Sequence, residues 1–171
     1  MNTNTTSTTS KKTTGVVFPL LTLMLANIAI AVIYLFFTKN FNYSFKVNGE
    51  PTFALSPNLI LWLTFGVIIL LGMVPYFMFN LSNFKTDRPG LKLNYTLYYI
   101  HFLFFLLWAF FTFTLALPIV GIIMLGIAIC IGVFTIYRFT TNTIVGGIII
   151  TLWGLWLIYL FILNLAYLLL I

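Results

Sequence analysis

Charge is what this chain has least of. Of its 171 residues only Glu50 and Asp87 are acidic, and charged residues make up 6% in all, where soluble domains carry about 25%. Cysteine is as scarce: Cys130 stands alone, so neither an intrachain disulfide nor a Cys-x-x-Cys metal or redox site can form. There is one histidine, His101. No Asp, Glu, Lys or Arg falls within a long apolar run, which argues against an ion-coupled transporter, since those keep ionisable groups at membrane depth. Paired carboxylates, a Ser-His-Asp set, a metal-ligand cluster and a phosphate-cradling glycine loop are all missing, which argues against conventional hydrolytic or metal chemistry. The net charge is +6 and the pI near 9.6, but the basic residues are scattered among connecting segments and form no continuous patch. They read as topology signals, and no nucleic-acid partner is expected.

What is present is apolar. A hydrophobic share of 62%, with 19% aromatic, exceeds what a soluble core can bury. Several runs reach the roughly 20 residues needed to cross a hydrocarbon layer of about 30 Å. Five spans are predicted, Val16 to Phe37, Leu59 to Phe79, Tyr95 to Leu117, Ile119 to Tyr137 and Ile144 to Leu168. Apolar residues circle each one without the alternation of a barrel strand, and each is about twice as long as a tilted strand needs to be. The fold class is therefore an all-α integral membrane protein, a bundle of five transmembrane helices, with the lipid bilayer as its first partner. Residues 1–15, Ser/Thr-rich with almost nothing to bury, form a disordered polar tail, and 16–171 form the transmembrane domain. The first span is too long for a cleaved signal and is retained. Pro118 makes the turn between the third and fourth spans tight, and Pro75 kinks the second.

Six of the eight basic residues (Lys11, Lys12, Lys85, Arg88, Lys92 and Arg138) fall in the tail and in the loops 80–94 and 138–143, against Lys39 and Lys46 in the long loop 38–58. The positive-inside rule then places the N-terminus in the cytoplasm and the long loop on the far face, where it could cover a space between helices. Asn-x-Ser/Thr matches at Asn4, Asn42, Asn80 and Asn94 are too easily produced by an Asn- and Thr-rich sequence to carry weight.

Candidate site residues cluster in the third and fifth spans. Tyr98, His101, Phe105, Trp108 and Thr112 recur at helical spacing and share one face, as do Trp153, Trp156, Leu160 and Asn164. Two readings stand for each stripe: packing, or aromatic walls for a flat apolar ligand oriented by a few polar groups. His101 reads either as a neutral imidazole bonded to a neighbouring helix or as a ligand contact, through a carboxylate or a haem iron. Asn27 and Asn164 suit interhelical hydrogen bonds. Gly126 with Cys130 and Ala128 with Gly132 permit close helix approach, in a homodimer seam or within the chain.

The third and fifth spans resemble the tryptophan-rich sensory protein family, also called the translocator protein or peripheral benzodiazepine receptor family. That family's third span shows Tyr-x-x-Gln-Leu-x-x-Asn-x-x-Trp; here Tyr98 and Trp108 match, with His101 and Phe105 in the glutamine and asparagine places. Its fifth span reads Pro-Tyr-x-x-Trp-x-x-x-Ala-x-x-Leu-Asn; Trp156, Leu163 and Asn164 match, with Leu152, Trp153 and Leu160 as replacements. Pro51, Phe53 and Ser56-Pro57-Asn58 resemble its proline- and tryptophan-rich stretch. The family's next tryptophan would fall on Leu59, so that role passes to Trp62 or Phe65. The resemblance implies a five-helix bundle, commonly dimeric, that binds porphyrins and other flat hydrophobic molecules in a cavity capped by the first loop. The expected function is then binding of such a ligand with a sensory or regulatory role; the alternative is a transporter, or a transporter subunit, for an apolar solute without ion coupling. No cofactor is required, a porphyrin or haem being a ligand. The one enzymatic activity the resemblance offers is light-dependent porphyrin degradation.

Overall fold

The computed structural model describes residues 10–39, 51–81, 88–141 and 143–169. Residues 1–9 of the expected tail, Lys46 with Gly49 and Glu50 of the first loop, and Lys85 and Asp87 of the second lie outside them. All regular structure among the described residues is helical. The elements are α1 (Ser10–Phe37), α2 (Pro57–Leu71), α3 (Val74–Leu81), α4 (Arg88–Ala109), a π-helical turn (Phe110–Thr114), α5 (Pro118–Thr140) and α6 (Ile144–Leu169). Four segments, Pro57–Phe77, Lys92–Thr114, Pro118–Thr140 and Ile144–Leu169, are long and apolar enough to cross a membrane, and Leu21–Phe37 is a shorter apolar one.

The helices differ from the sequence reading in instructive ways. Helix α1 begins at Ser10, so 10–15 are helical rather than part of a disordered tail; once the apolar segment has nucleated a helix, extending it fixes one residue per new hydrogen bond. The second span is broken at Gly72–Met73 into α2 and α3, three residues before the kink expected at Pro75. Helix α4 starts at Arg88 and α5 runs to Thr140, so Arg88, Lys92 and Arg138 are helical and not in loops. Arg138 lies in the last turn of α5, where a cation suits the helix dipole, and its Nε donates to Asn94 Oδ1 of α4 at 2.9 Å. The tight turn after the third span rests on Ala116 at φ 53° as well as on Pro118, which opens α5 at a position where its missing N–H would be unbonded anyway.

Neighbours pack in the cyclic order α1, α2, α6, α5, α4 and back to α1, and α3, which continues the second span, touches α1, α2, α4 and α6. Helix α5 buries Gly121, Leu125, Ala128, Gly132, Thr135 and Phe139, an alternating four-three spacing that keeps one stripe against its neighbours. Ala128 and Gly132 lie on this buried stripe, although a Cβ on Gly132 would meet nothing within 4 Å, and Cys130 is exposed. Of the helix pairs around the ring, α2 and α6 have the sparsest backbone contact, while α4–α5 and α5–α6 are tight hairpins.

At the break in the second span, backbone groups lose their regular partners. Gly72 N–H donates to Ile69 O at 3.0 Å, leaving Ile68 O without its usual i+4 donor, and Pro75 has no N–H to give Leu71 O. Side chains from two other helices replace them. Asn27 Nδ2 donates to Ile68 O at 2.8 Å, and Tyr98 Oη to Leu71 O at 2.7 Å. Asn27 Nδ2 also donates to Tyr98 Oη at 2.8 Å, tying α1, α2 and α4 together. Glycine suits this close approach of α1: a Cβ on Gly72 would lie 3.1 Å from Asn27 Cβ and 3.3 Å from Met24 Cα.

Candidate functional site

The ring-bearing faces of α4 and α6 meet in the interior. Tyr98, His101, Phe105, Trp108, Trp153 and Asn164 are all buried. Trp153 Nε1 donates to His101 Nε2 at 3.0 Å, and Trp108 Nε1 to Asn164 Oδ1 at 3.3 Å. Trp153 stacks on Phe102 with centroids 5.6 Å apart and meets Phe105 edge-on at 5.2 Å; Phe105 also contacts Trp108 at 5.2 Å and Tyr34 of α1 at 5.5 Å. The rings touch one another directly, so this group is packed core. Bulky rings bridge α4 and α6, whose backbones do not approach as those of the hairpins do.

An indole N–H can only donate, so His101 Nε2 must present its lone pair to Trp153, and the imidazole proton sits on Nδ1, which has no partner. This is the helix-to-helix hydrogen bond of the first reading of His101. His101 Nε2 is thus engaged by the Trp153 indole.

Trp156 belongs to a different place. Helix α2 buries Ile60, Thr64, Ile68 and Leu71, and Thr64 faces α6, where Trp156 Nε1 donates to its Oγ1 at 3.0 Å. Trp156 stacks on Tyr159 at 5.1 Å, and Tyr159 Oη accepts the Leu55 N–H at 3.0 Å, tying the segment ahead of α2 to α6. Trp156, Tyr159 and Phe65 are half-buried. Trp156 and Tyr159 lie where α2 and α6 meet, the sparsest backbone contact around the ring, whereas the ring contact of Phe65 is with Trp62 of its own helix.

Trp62 does not join them. It is 60% exposed, with Phe65 edge-on at 5.8 Å. Residues 60, 64, 68 and 71 fix the inner face of α2, and a position two residues from both 60 and 64 points away from it at 100° per residue. Counting along the family's motif placed a ring near the right turn without fixing the face. Tyr34, Thr64 and Tyr159 were missed. The periodic signal was there for Tyr34, which follows Asn27 and Ala31 at spacings of four and three, but a tyrosine and a threonine in apolar runs look like filler.

An apolar pocket of about 90 Å³ between α5 and α6 has Gly132, Gly154 and Trp153 in its lining and is rimmed by the exposed Val133, Leu155 and Ile158. Its one polar side chain, Thr151, is bonded to Gly147 O at 2.7 Å.

No protein-family model, curated protein or solved structure matches the chain. The resemblance described above therefore rests on Tyr98, Trp108, Trp156, Leu163 and Asn164 and their spacing alone.

Proposed function

We propose that the protein is an integral membrane bundle of five transmembrane helices, N-terminus in the cytoplasm, that takes a flat hydrophobic ligand of the porphyrin class from the bilayer into the seam between α2 and α6, in a sensory or regulatory role. The apolar exposure supports insertion: Leu63, Leu70, Leu103, Ile123, Phe134, Ile148, Leu155 and Ile162 all lie on the outside, a surface that suits acyl chains and not water. The observation that carries the binding reading is the pair of half-buried, stacked rings, Trp156 and Tyr159, at the sparsest contact of the helix ring. A planar molecule there would stack on faces already partly exposed and leave the packed group around Trp153 and His101 undisturbed.

The test is titration of the purified protein with a porphyrin, followed by tryptophan fluorescence. Saturable quenching is expected, with affinity about tenfold weaker in Trp156→Leu and unchanged in Trp62→Leu. Equal affinity in folded Trp156→Leu and the native protein would remove the seam from consideration.

A further inference from the structure

Helices α5 and α6 form a tight hairpin, yet the apolar pocket opens between them, and two glycines in its lining explain how. Gly132 of α5 is buried, but a Cβ there would meet nothing within 4 Å, so the space beside it holds no side chain. Gly154 of α6 lies so near α5 that a Cβ would sit 2.8 Å from Ile136 Cδ1. The helices already touch at that level and cannot draw together to fill the gap. The inner wall is Trp153, 2% exposed, with its indole N–H on His101 Nε2 at 3.0 Å and its ring stacked on Phe102. Swinging that ring outward to close the pocket would break the bond.

The lining sets what the pocket can take. It carries no charge, and its one hydroxyl, Thr151 Oγ1, already donates to Gly147 O at 2.7 Å. The complementary occupant is therefore uncharged and without hydrogen-bonding groups, which excludes water, since a buried water needs about two to four polar partners. At about 90 Å³ the pocket is smaller than the roughly 150 Å³ apolar cavity that admits a benzene ring, so a chain suits it better than a ring. Its mouth is bordered by Val133 and Leu155, each 59% exposed on the outside of the bundle. Arg138, in the last turn of α5, marks the polar end of that helix. Gly132 is six residues away, about 9 Å at 1.5 Å per residue. Across a hydrocarbon layer of about 30 Å that depth falls among acyl chains, within the nearer leaflet.

We infer that the α5–α6 pocket is a binding site for one acyl chain of a bilayer lipid, a segment of which enters beside Gly132 and rests on Trp153. The chain restores the dispersion contacts that the walls otherwise lack, and it needs no polar anchor. This rests on the bundle lying in a bilayer and is independent of any ligand between α2 and α6.

The test places the full chain in phosphatidylcholine vesicles doped with the same lipid bearing a photoactivatable diazirine at mid-chain. Adducts formed on illumination are located by mass spectrometry. They are expected on Gly132 or Trp153, which the pocket alone opens to lipid, as well as on the outward Phe134 and Ile148. Gly132→Leu directs a side chain into the open space, so it should abolish the adduct on Trp153 and leave those on Phe134 and Ile148. Adducts confined to outward residues mean a surrounding chain only and overturn the inference, whether or not the variant folds. A Trp153 adduct that persists in Gly132→Leu would also overturn it. So would a change of oligomeric state in that variant, because the pocket would then take a side chain of a second copy. If no helix is labelled at all, the bundle is not in the bilayer, and the membrane reading fails along with the pocket.

Discussion

Replacing Tyr98 by Phe removes one oxygen and leaves the ring that packs against Phe102 and Phe139. That oxygen makes two hydrogen bonds, donating to Leu71 O at 2.7 Å and accepting from Asn27 Nδ2 at 2.8 Å. Measured interhelical side-chain bonds in membrane proteins average about 0.6 kcal/mol, and orphaning a buried acceptor costs about 1–3 kcal/mol. The substitution should therefore destabilise by roughly 1–3 kcal/mol, the larger share from Leu71 O, which Pro75 cannot serve. This apportioning has its own test. Pro75→Ala restores an N–H that can reach Leu71 O, so Tyr98→Phe should be less damaging in that background by about 1 kcal/mol. Reversible unfolding in mixed micelles, with tryptophan emission as the probe, would give the four free energies. If Tyr98→Phe costs the same with proline or alanine at position 75, the broken helix is not what Tyr98 supports, and the account of the kink is wrong.

Three further outcomes follow from the packing. A Cβ on Gly121 would overlap the Thr112 hydroxyl, so Gly121→Ala should destabilise by about 1–3 kcal/mol, and Thr112→Ala in the same chain should recover most of the loss, as thermal unfolding would show. Removing the acceptor for the Trp153 indole with His101→Phe should cost about 1–3 kcal/mol and shift tryptophan emission; an unchanged spectrum and unfolding midpoint would mean that the Trp153–His101 bond is not formed. Trp62→Leu, on the exposed face, should change stability by less than about 0.5 kcal/mol, checked in the same unfolding assay.

How far the sequence discloses this arrangement depends on which physical signal each feature leaves. Long apolar runs without alternation announce helices, and all regular structure among the described residues is helical. The face Tyr98, His101, Phe105, Trp108 and Thr112 is legible because a helix repeats every three to four residues, and all five are buried. The π-helical turn after Ala109 is not legible: FFTFT has no proline or glycine to mark it, and nothing local announces that its Thr112 lies against Gly121 of the next helix. The break at Gly72 is half legible. Pro75 gives it away, but the carbonyls it frees are answered by Asn27 and Tyr98, residues 41 and 27 positions away from their acceptors. Whether an aromatic stripe is core or binding wall is the least legible of all, because composition is the same in both. The sequence grouped Trp153 and Trp156 together; the structure sends the first to His101 and the second to Thr64.

That division bears on where such a bundle can change shape. Both acidic residues lie outside the described residues, so the helices are held by apolar packing and by a small number of directed hydrogen bonds. Apolar packing in a lipid environment is weakly directional, because the solvent is as apolar as the side chains; the directed bonds therefore set which helices stay together. Asn27 and Tyr98 tie α1, α2 and α4, Arg138 and Asn94 tie α4 to α5, and Trp153 and Trp108 tie α4 to α6. Between α2 and α6 the Trp156–Thr64 bond makes a side-chain tie, with Tyr159 holding the Leu55 backbone at one end. Opening that seam gives up fewer directed bonds than separating α4 from its partners would. A molecule that stacks on Trp156 and offers its own acceptor repays that loss in place. The seam that is least tied is thus also the one whose ties a ligand can substitute, and a site in the rigid group around His101 would have neither property.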